Sequence, residues 1–229
     1  MSAVKELDRL SVARRALAEA ANHVGLSTPP ATQDPSRPTH IPTGIPALDA
    51  ALEGGLPRGR IVSLTGARSS GRMALTLRLL ARATHRGEPS ALIDAVDALD
   101  PVDLHPDERA RVLWVRPTSV LAALQCADLI LDAGGFAMAA LYLVGMRERV
   151  VTSAWSRLAQ RAAQANTTLL VVGDGAGAMS PGSFAAVSLG ARRRRVVWTG
   201  RRLLDAVQGE LVVLRRRGGP AMERAIAFG

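Results

Sequence analysis

Apolar positions change their spacing along this chain, and the changes outline its elements. From Ala3 to Val24 they recur on one side of a helix, through Val4, Leu7, Leu10, Val12, Leu17 and Ala21. The stretch Ser27–Pro42 is rich in proline and has little to bury, so residues 25–42 read as a linker between a helix over 1–24 and a core domain over 43–229. Within the core, short apolar runs of strand length alternate with longer helical patterns. The runs are Ile61–Leu64, Ser90–Ala95, Val112–Val115, Ala137–Val144 and Thr168–Val172; the helices are Ala47–Leu52, Arg72–His85, Ser119–Asp132 and Glu148–Gln164. Regular alternation of this kind predicts an α/β fold whose mainly parallel central sheet is covered on both faces. After Gly173 the pattern shifts to a glycine-rich loop and then to short strands, Ala185–Leu189, Val196–Trp198, Gly209–Leu214 and Ala221–Phe228. A helical turn is expected at Arg201–Ala206, and the whole segment reads as an antiparallel C-terminal extension of the sheet.

Composition narrows the classes. The net charge of +9, from 29 basic and 20 acidic residues, favours nucleic acid or an acidic protein as partner. Lys5 is the only lysine and alanine is frequent, a bias that a GC-rich genome also produces, so the charge alone does not decide. A single cysteine, Cys126, sits in an apolar run; it excludes an internal disulfide and reads as a packing residue. No run approaches the length of a membrane span, and the charged N-terminus does not resemble a signal peptide, so a cytoplasmic protein without membrane contact is expected. Three Trp, one Tyr and three Phe leave few platforms for stacking single-stranded bases.

The candidate chemistry lies in Ile61–Leu80, a strand, a Gly/Ser loop and a helix in the order that a phosphate-binding loop requires. Gly66 and Gly71 hold the spacing of G-x-x-x-x-G-K-[ST], with Ala67, Arg68, Ser69 and Ser70 between them. Arg72 replaces the lysine and Met73 the hydroxyl residue. Arginine keeps the charge but is a larger planar fork, and a thioether does not ligate a hard cation. Backbone N–H groups from Ala67 to Arg72 can still form an anion nest; the simpler reading is that the glycines serve the turn.

The blocks Thr43-Gly44, Leu48-Asp49, Gly54-Gly55-Leu56-Pro57 and Gly59-Arg60, the loop, and Ile93–Pro101 together resemble the entry to the RecA recombinase core, and by element order the likeness extends to Phe228. The resemblance implies a RecA-like P-loop core. Against the family's pattern, Val96 stands where a catalytic glutamate lies and Leu143 where a strand-end aspartate is expected, while Asp94 and Asp97 read as loop or cap residues. With Arg72 and Met73, four departures predict a vestigial phosphate loop, no catalytic residues, no metal, no cofactor and no ATPase activity. The loop Gly173–Ser183 takes the place of the family's second DNA-binding loop but is far shorter and has no Arg or Lys.

Basic density lies further on. Arg192, Arg193, Arg194, Arg195, Arg201, Arg202, Arg215, Arg216 and Arg217 fall within 26 residues, opposed by Asp205 and Glu210 alone. On adjacent strands they are expected to form a positive face for nucleic acid or an acidic partner, although strict alternation would send Arg192/Arg194 and Arg193/Arg195 to opposite sides. Arginine on an exposed edge also blocks aggregation. A RecA-like core without ATPase residues is similar to the ImuA group. That likeness implies a non-catalytic accessory factor of SOS-induced translesion synthesis, working beside an ImuB-like Y-family polymerase homologue, RecA and an error-prone C-family polymerase, with DNA contact at most non-specific. The N-terminal helix, through Leu7, Leu10 and Leu17, is its candidate subunit-docking element, or else packs on its own domain. Two other readings are a divergent RecA-type ATPase completed by a partner in trans and a RecA-related cell-division inhibitor.

Overall fold

A computed structural model describes residues 39–85, 87–175, 180–199, 203–217 and 225–228. Leu7, Leu10, Leu17, Arg201 and Arg202 lie outside these residues, as do the expected N-terminal helix and most of the expected linker. The strands are β1 (His40–Ile41), β2 (Leu56–Pro57), β3 (Ile61–Gly66), β4 (Ser90–Asp94), β5 (Val112–Val115), β6 (Met138–Tyr142), β7 (Thr168–Gly173), β8 (Ala185–Thr199), β9 (Leu203–Arg216) and β10 (Ala225–Phe228). The helices are α1 (Pro46–Ala51), α2 (Arg72–Thr84), α3 (Pro106–Arg109), α4 (Val120–Ala133) and α5 (Thr152–Ala165). One sheet runs β10-β9-β8-β3-β7-β6-β4-β5. The six strands from β8 to β5 are mutually parallel, and β9 and β10 add antiparallel. This is the mixed α/β architecture, mainly parallel with an antiparallel extension, that the periodicity predicts.

Alternation along each strand decides what covers it. Val62, Leu64, Leu92, Met138, Ala140, Leu170 and Val172 face a core shared with Leu48 and Leu52 of the first helical segment and Leu75, Leu79 and Leu80 of α2. The residues between them, Ile61, Ala91, Ile93, Ala139, Leu141, Leu169 and Val171, face α4 and α5 through Ala127, Ile130, Trp155 and Leu158. Both faces are buried, as a parallel sheet requires. The helix ends follow from local chemistry. Ser119 caps α4 by accepting from the Ala122 N–H at 3.2 Å, and Asn166 closes α5 in the left-handed region at φ 50°.

Three expected elements differ. Residues Glu148–Val151 lie outside α5, which starts at Thr152. The helical turn expected at Arg201–Ala206 is corrected over its described part: Leu203–Ala206 is strand, because cross-strand pairing to Val197–Thr199 outweighs local preference. The two short strands around 185–189 and 196–198 are one 15-residue strand, since the arginines between them are held by the β9 ladder. Within the stretch read as linker, His40 and Ile41 pair with Pro57 and Leu56, and Ile41 is buried.

The entry to the fold is fastened by Asp49. Its carboxylate accepts from the Thr43 N–H and Oγ1 at 2.7 Å each and from the Gly44 N–H at 3.3 Å. Asp49→Ala strands these donors and is expected to lower stability by about 1–3 kcal/mol, measured by urea unfolding at neutral pH; an unchanged midpoint would contradict this role.

Candidate functional site

Strand β3 delivers the loop 67–71 to the C-terminal edge of the sheet, and two glycines shape it. At Gly66 a Cβ would lie 2.5 Å from the Ala191 carbonyl oxygen and 2.6 Å from Ser70 Oγ, so β8 and the loop both need the missing side chain. Gly71 takes φ 82° to turn into α2. Ala67, Arg68 and Ser69 are exposed, whereas Ser70 is buried and its Oγ has no hydrogen-bond partner among the described residues.

Arg72 is 4% exposed and points across the sheet edge. One terminal nitrogen, Nη1, donates to the Gly173 carbonyl at 2.5 Å and to Asp174 Oδ1 at 2.8 Å. Asp174 Oδ2 in turn accepts from the Gly145 N–H at 2.6 Å. The first residue of α2, the end of β7 and the loop after β6 are thereby tied together. Burial of the Asp174 carboxyl works against its ionisation, but hydrogen bonds from Arg72 and Gly145 and the charges of Arg72 and Arg147 outweigh it and hold the pKa below the ordinary carboxylate value. Met73 packs against the apolar core on the α2 face of the sheet. To engage a phosphate, Arg72 would have to leave both acceptors, and Met73 presents no oxygen to a cation.

The other substituted positions are apolar in the structure too. Leu143 is 1% exposed within the α4/α5 core, and Val96 is exposed on the loop after β4. Asp94 is fully buried and accepts from the Val96 and Leu99 N–H groups at 3.3 and 2.9 Å, which shapes that loop. Asp97 is exposed and pairs with Arg116 at 3.4 Å. Both acids therefore occupy loop roles. Cys126 is half-buried, and desolvation raises its pKa. Among the described residues no group of His, Cys, Asp or Glu is placed to hold a metal ion. Two residues of the site are missed by sequence reasoning. Asp174 reads only as the start of a loop; its signal is an acid directly after the strand next to β3. Tyr142, at the end of β6, is nearly buried, and desolvation raises its pKa against the nearby Arg72 charge.

The described arginines lie at two stretches of the β8/β9 pair. β8 stays paired with β3 only to Ala191, and β9 with β10 only from Gly209, so among the described residues 192–199 and 203–208 pair with each other alone. Arg192 is exposed opposite Glu210, Arg193 is opposite Gly209 and Arg195 opposite Gln208. The register shifts between Arg193 and Arg195, at Arg194, which interrupts the expected two-residue alternation. Arg215 and Arg216 lie opposite Ser188 and Val187, about 17 Å along the strand from Arg192. Arg215 donates to the Gly182 and Ala185 carbonyls at 2.5 and 2.7 Å, and Arg216 pairs with Glu53. Arg217 is exposed.

Comparison with known proteins agrees with this geometry. The family model described as the RecA N-terminal domain matches residues 32–145. Over those residues the chain is similar to that domain. It is 36% identical over 159 residues to protein RecA of Leifsonia xyli subsp. xyli, covering 58% of this chain and 43% of that one. It is 45% identical over 101 residues to RecA of Methylococcus capsulatus, covering 42% and 28%. It is 28% identical over 226 residues to RecA of Xylella fastidiosa, covering 81% and 64%. The chain thus spans less than two thirds of these curated relatives. The crystal structure of the RadB recombinase superposes with a TM-score of 0.63 at 16% identity, over 82% of this chain and 94% of that one, which establishes the RecA-like fold.

Arg72→Ala is expected to lower stability by about 1–3 kcal/mol, since the Gly173 carbonyl loses its donor. Asp174→Asn should cost less than about 1 kcal/mol, because the carboxylate is half-exposed and the pair is screened. A carboxylate whose pKa is lowered on folding stabilises above its unfolded value, and that stabilisation is lost as the pH falls through the folded value. The gap between the protein and Asp174→Asn should therefore be full at neutral pH and close on the acid side of the ordinary Asp pKa. A gap that widens on acidification would contradict it; urea titrations across pH decide.

Proposed function

We propose that this protein is a non-catalytic, RecA-like adaptor of the ImuA type in SOS-induced translesion DNA synthesis. The observation that carries the reading is the internal engagement of Arg72 by Gly173 and Asp174. The one cation left in the glycine loop's helix start is already satisfied within the chain. Met73 beside it belongs to the apolar core, and Val96 and Leu143 supply neither a base nor a metal-shell oxygen. Phosphoryl transfer needs a cation on the phosphates, oxygens on Mg²⁺ and a group that orients water, and the residues at the family's positions for these groups, Arg72, Met73, Val96 and Leu143, do not supply them. On this reading the protein is not an ATPase, takes no nucleotide or metal cofactor, and acts by contact. Its partners are an ImuB-like Y-family polymerase homologue, RecA and an error-prone C-family polymerase, in the cytoplasm; Leu7, Leu10 and Leu17 are proposed for subunit docking. No helix among the described residues is long and apolar enough to cross a membrane.

The expected result is no ATP turnover above background, with or without DNA, and no micromolar binding of a fluorescent ATP analogue. Nucleotide binding that Arg72→Ala abolishes would overturn the reading, and hydrolysis appearing only when a partner is added would replace it with an ATPase completed in trans. Affinity capture from DNA-damaged cells should recover polymerase subunits or RecA; recovery of division proteins alone would sink the choice.

Non-specific DNA contact is proposed for the paired arm that starts at Arg192. A two-stranded ribbon fits the major groove. Every arginine–phosphate pairing that is removed should flatten the plot of log affinity against log salt by about 0.9. Replacing Arg192–Arg195 by alanine is expected to weaken binding at least tenfold and to reduce that slope by two or more. Unchanged affinity and slope would remove the arm from any DNA role.

A further inference from the structure

The foot of the sheet, opposite the glycine loop, holds a cavity of about 520 Å³. Strand β1, the turn after β2 and the near ends of β8 and β9 line it, with Ala159 of α5 behind. Its floor is apolar, with Ile61 buried and Phe184 half-buried. Its rim is cationic through Arg60, Arg216 and Arg217, with His40 beside them. Glu53 answers Arg216, and this pairing holds the Glu53 pKa down. Arg60 and Arg217 are exposed and form no ion pair with any described residue.

Guanidinium groups standing over an apolar floor select for a ligand that combines the two chemistries. Planar donors bind carboxylates in pairs, and a floor containing an aromatic ring takes an aliphatic or aromatic side chain. A nucleic-acid duplex is too wide to enter, and its phosphates gain nothing from Ile61 and Phe184. We infer that this cavity binds a short acidic and apolar peptide segment of a partner protein. The inference deepens the adaptor reading and rests on it, because a protein that works by contact needs a docking site. This one joins uncompensated positive charge to apolar surface within one enclosure. The carboxylates meet Arg60 and Arg217, and the apolar side chain lies against Phe184. Charge on the rim sets affinity and its salt dependence; the floor sets which side chains are accepted.

The test uses the full chain on an array of hexapeptides that each carry two carboxylates and two leucine or phenylalanine side chains. Asn/Gln counterparts serve as controls, and the best peptide is then labelled for fluorescence polarisation. Expected are retention of acidic over neutral peptides and at least a tenfold loss of affinity in Arg60→Ala/Arg217→Ala. Phe184→Asp should cost as much, while Arg157→Ala, on the exposed face of α5, changes nothing. Arg60 and Arg217 are exposed, so the double variant should unfold at the same urea midpoint as the parent, which separates a binding defect from a folding defect. Equal retention of neutral peptides, or unchanged affinity in the double variant, overturns the inference. Displacement of the peptide by inorganic phosphate or duplex DNA at matched ionic strength overturns it as well, and reassigns the rim to phosphate. Peptide binding alongside ATP turnover supports the cavity while sinking the adaptor reading, so the two fail separately.

Discussion

Strand β3 is hemmed in on both sides, and its last residue has no room for a side chain. A Cβ on Gly66 would press into the Ala191 carbonyl at 2.5 Å, far inside any normal contact. β8 therefore stays in register with β3 to its end only if position 66 is glycine. β9 pairs on β8 and β10 on β9, so the whole antiparallel extension hangs from that approach. Gly71, in the left-handed region, then bends the chain into α2, whose leucines cover one face of the sheet. Both glycines of the phosphate-loop spacing have structural reasons that involve no ligand. Positions 72 and 73 carry no comparable backbone demand, and it is there that the motif departs.

The substitution at 72 also tightens the fold. An arginine stem is long enough to cross the sheet edge, and a single terminal nitrogen meets a carbonyl and a carboxylate at once. Three loops that would otherwise end separately, after β3, β6 and β7, are joined through Arg72, Asp174 and Gly145. A lysine there would bring a hydrated point charge without the planar fork, and it would lose more on burial. At the edge where ligands enter an open α/β sheet, the Arg72 side chain thus makes its contacts within the chain.

Much of this fold was legible in the sequence because its elements are long and regularly patterned. Each core strand is a run of apolar residues with both faces buried, and each long helix has one apolar side, so their type and order follow from spacing alone. The glycine loop was legible for the same reason: Gly66 and Gly71 are local signals. What escaped depends on distant pairing. Asp174 is 102 residues from Arg72 in sequence, and no local pattern joins an acid after one strand to an arginine after another. The continuity of β8 escaped because four arginines interrupt its apolar run, although the ladder to β9 holds them in strand. The position of Arg215 and Arg216 opposite Ser188 and Val187 escaped because an antiparallel register, not distance along the chain, decides which end of a hairpin a residue reaches.

The two ends of the sheet differ in how charge is answered. At the C-terminal edge the cation is buried, so its donors need acceptors, and the Gly173 carbonyl and the half-exposed Asp174 carboxylate supply them. At the foot, Arg60 and Arg217 keep their heads in solvent and need no partner to be tolerated. Their stability contribution is accordingly small, and the fold alone gives little reason to gather them with His40 and Arg216 around Ile61 and Phe184. A buried, satisfied arginine is explained by the fold that contains it. Exposed arginines collected over an apolar floor are explained by something that comes to them.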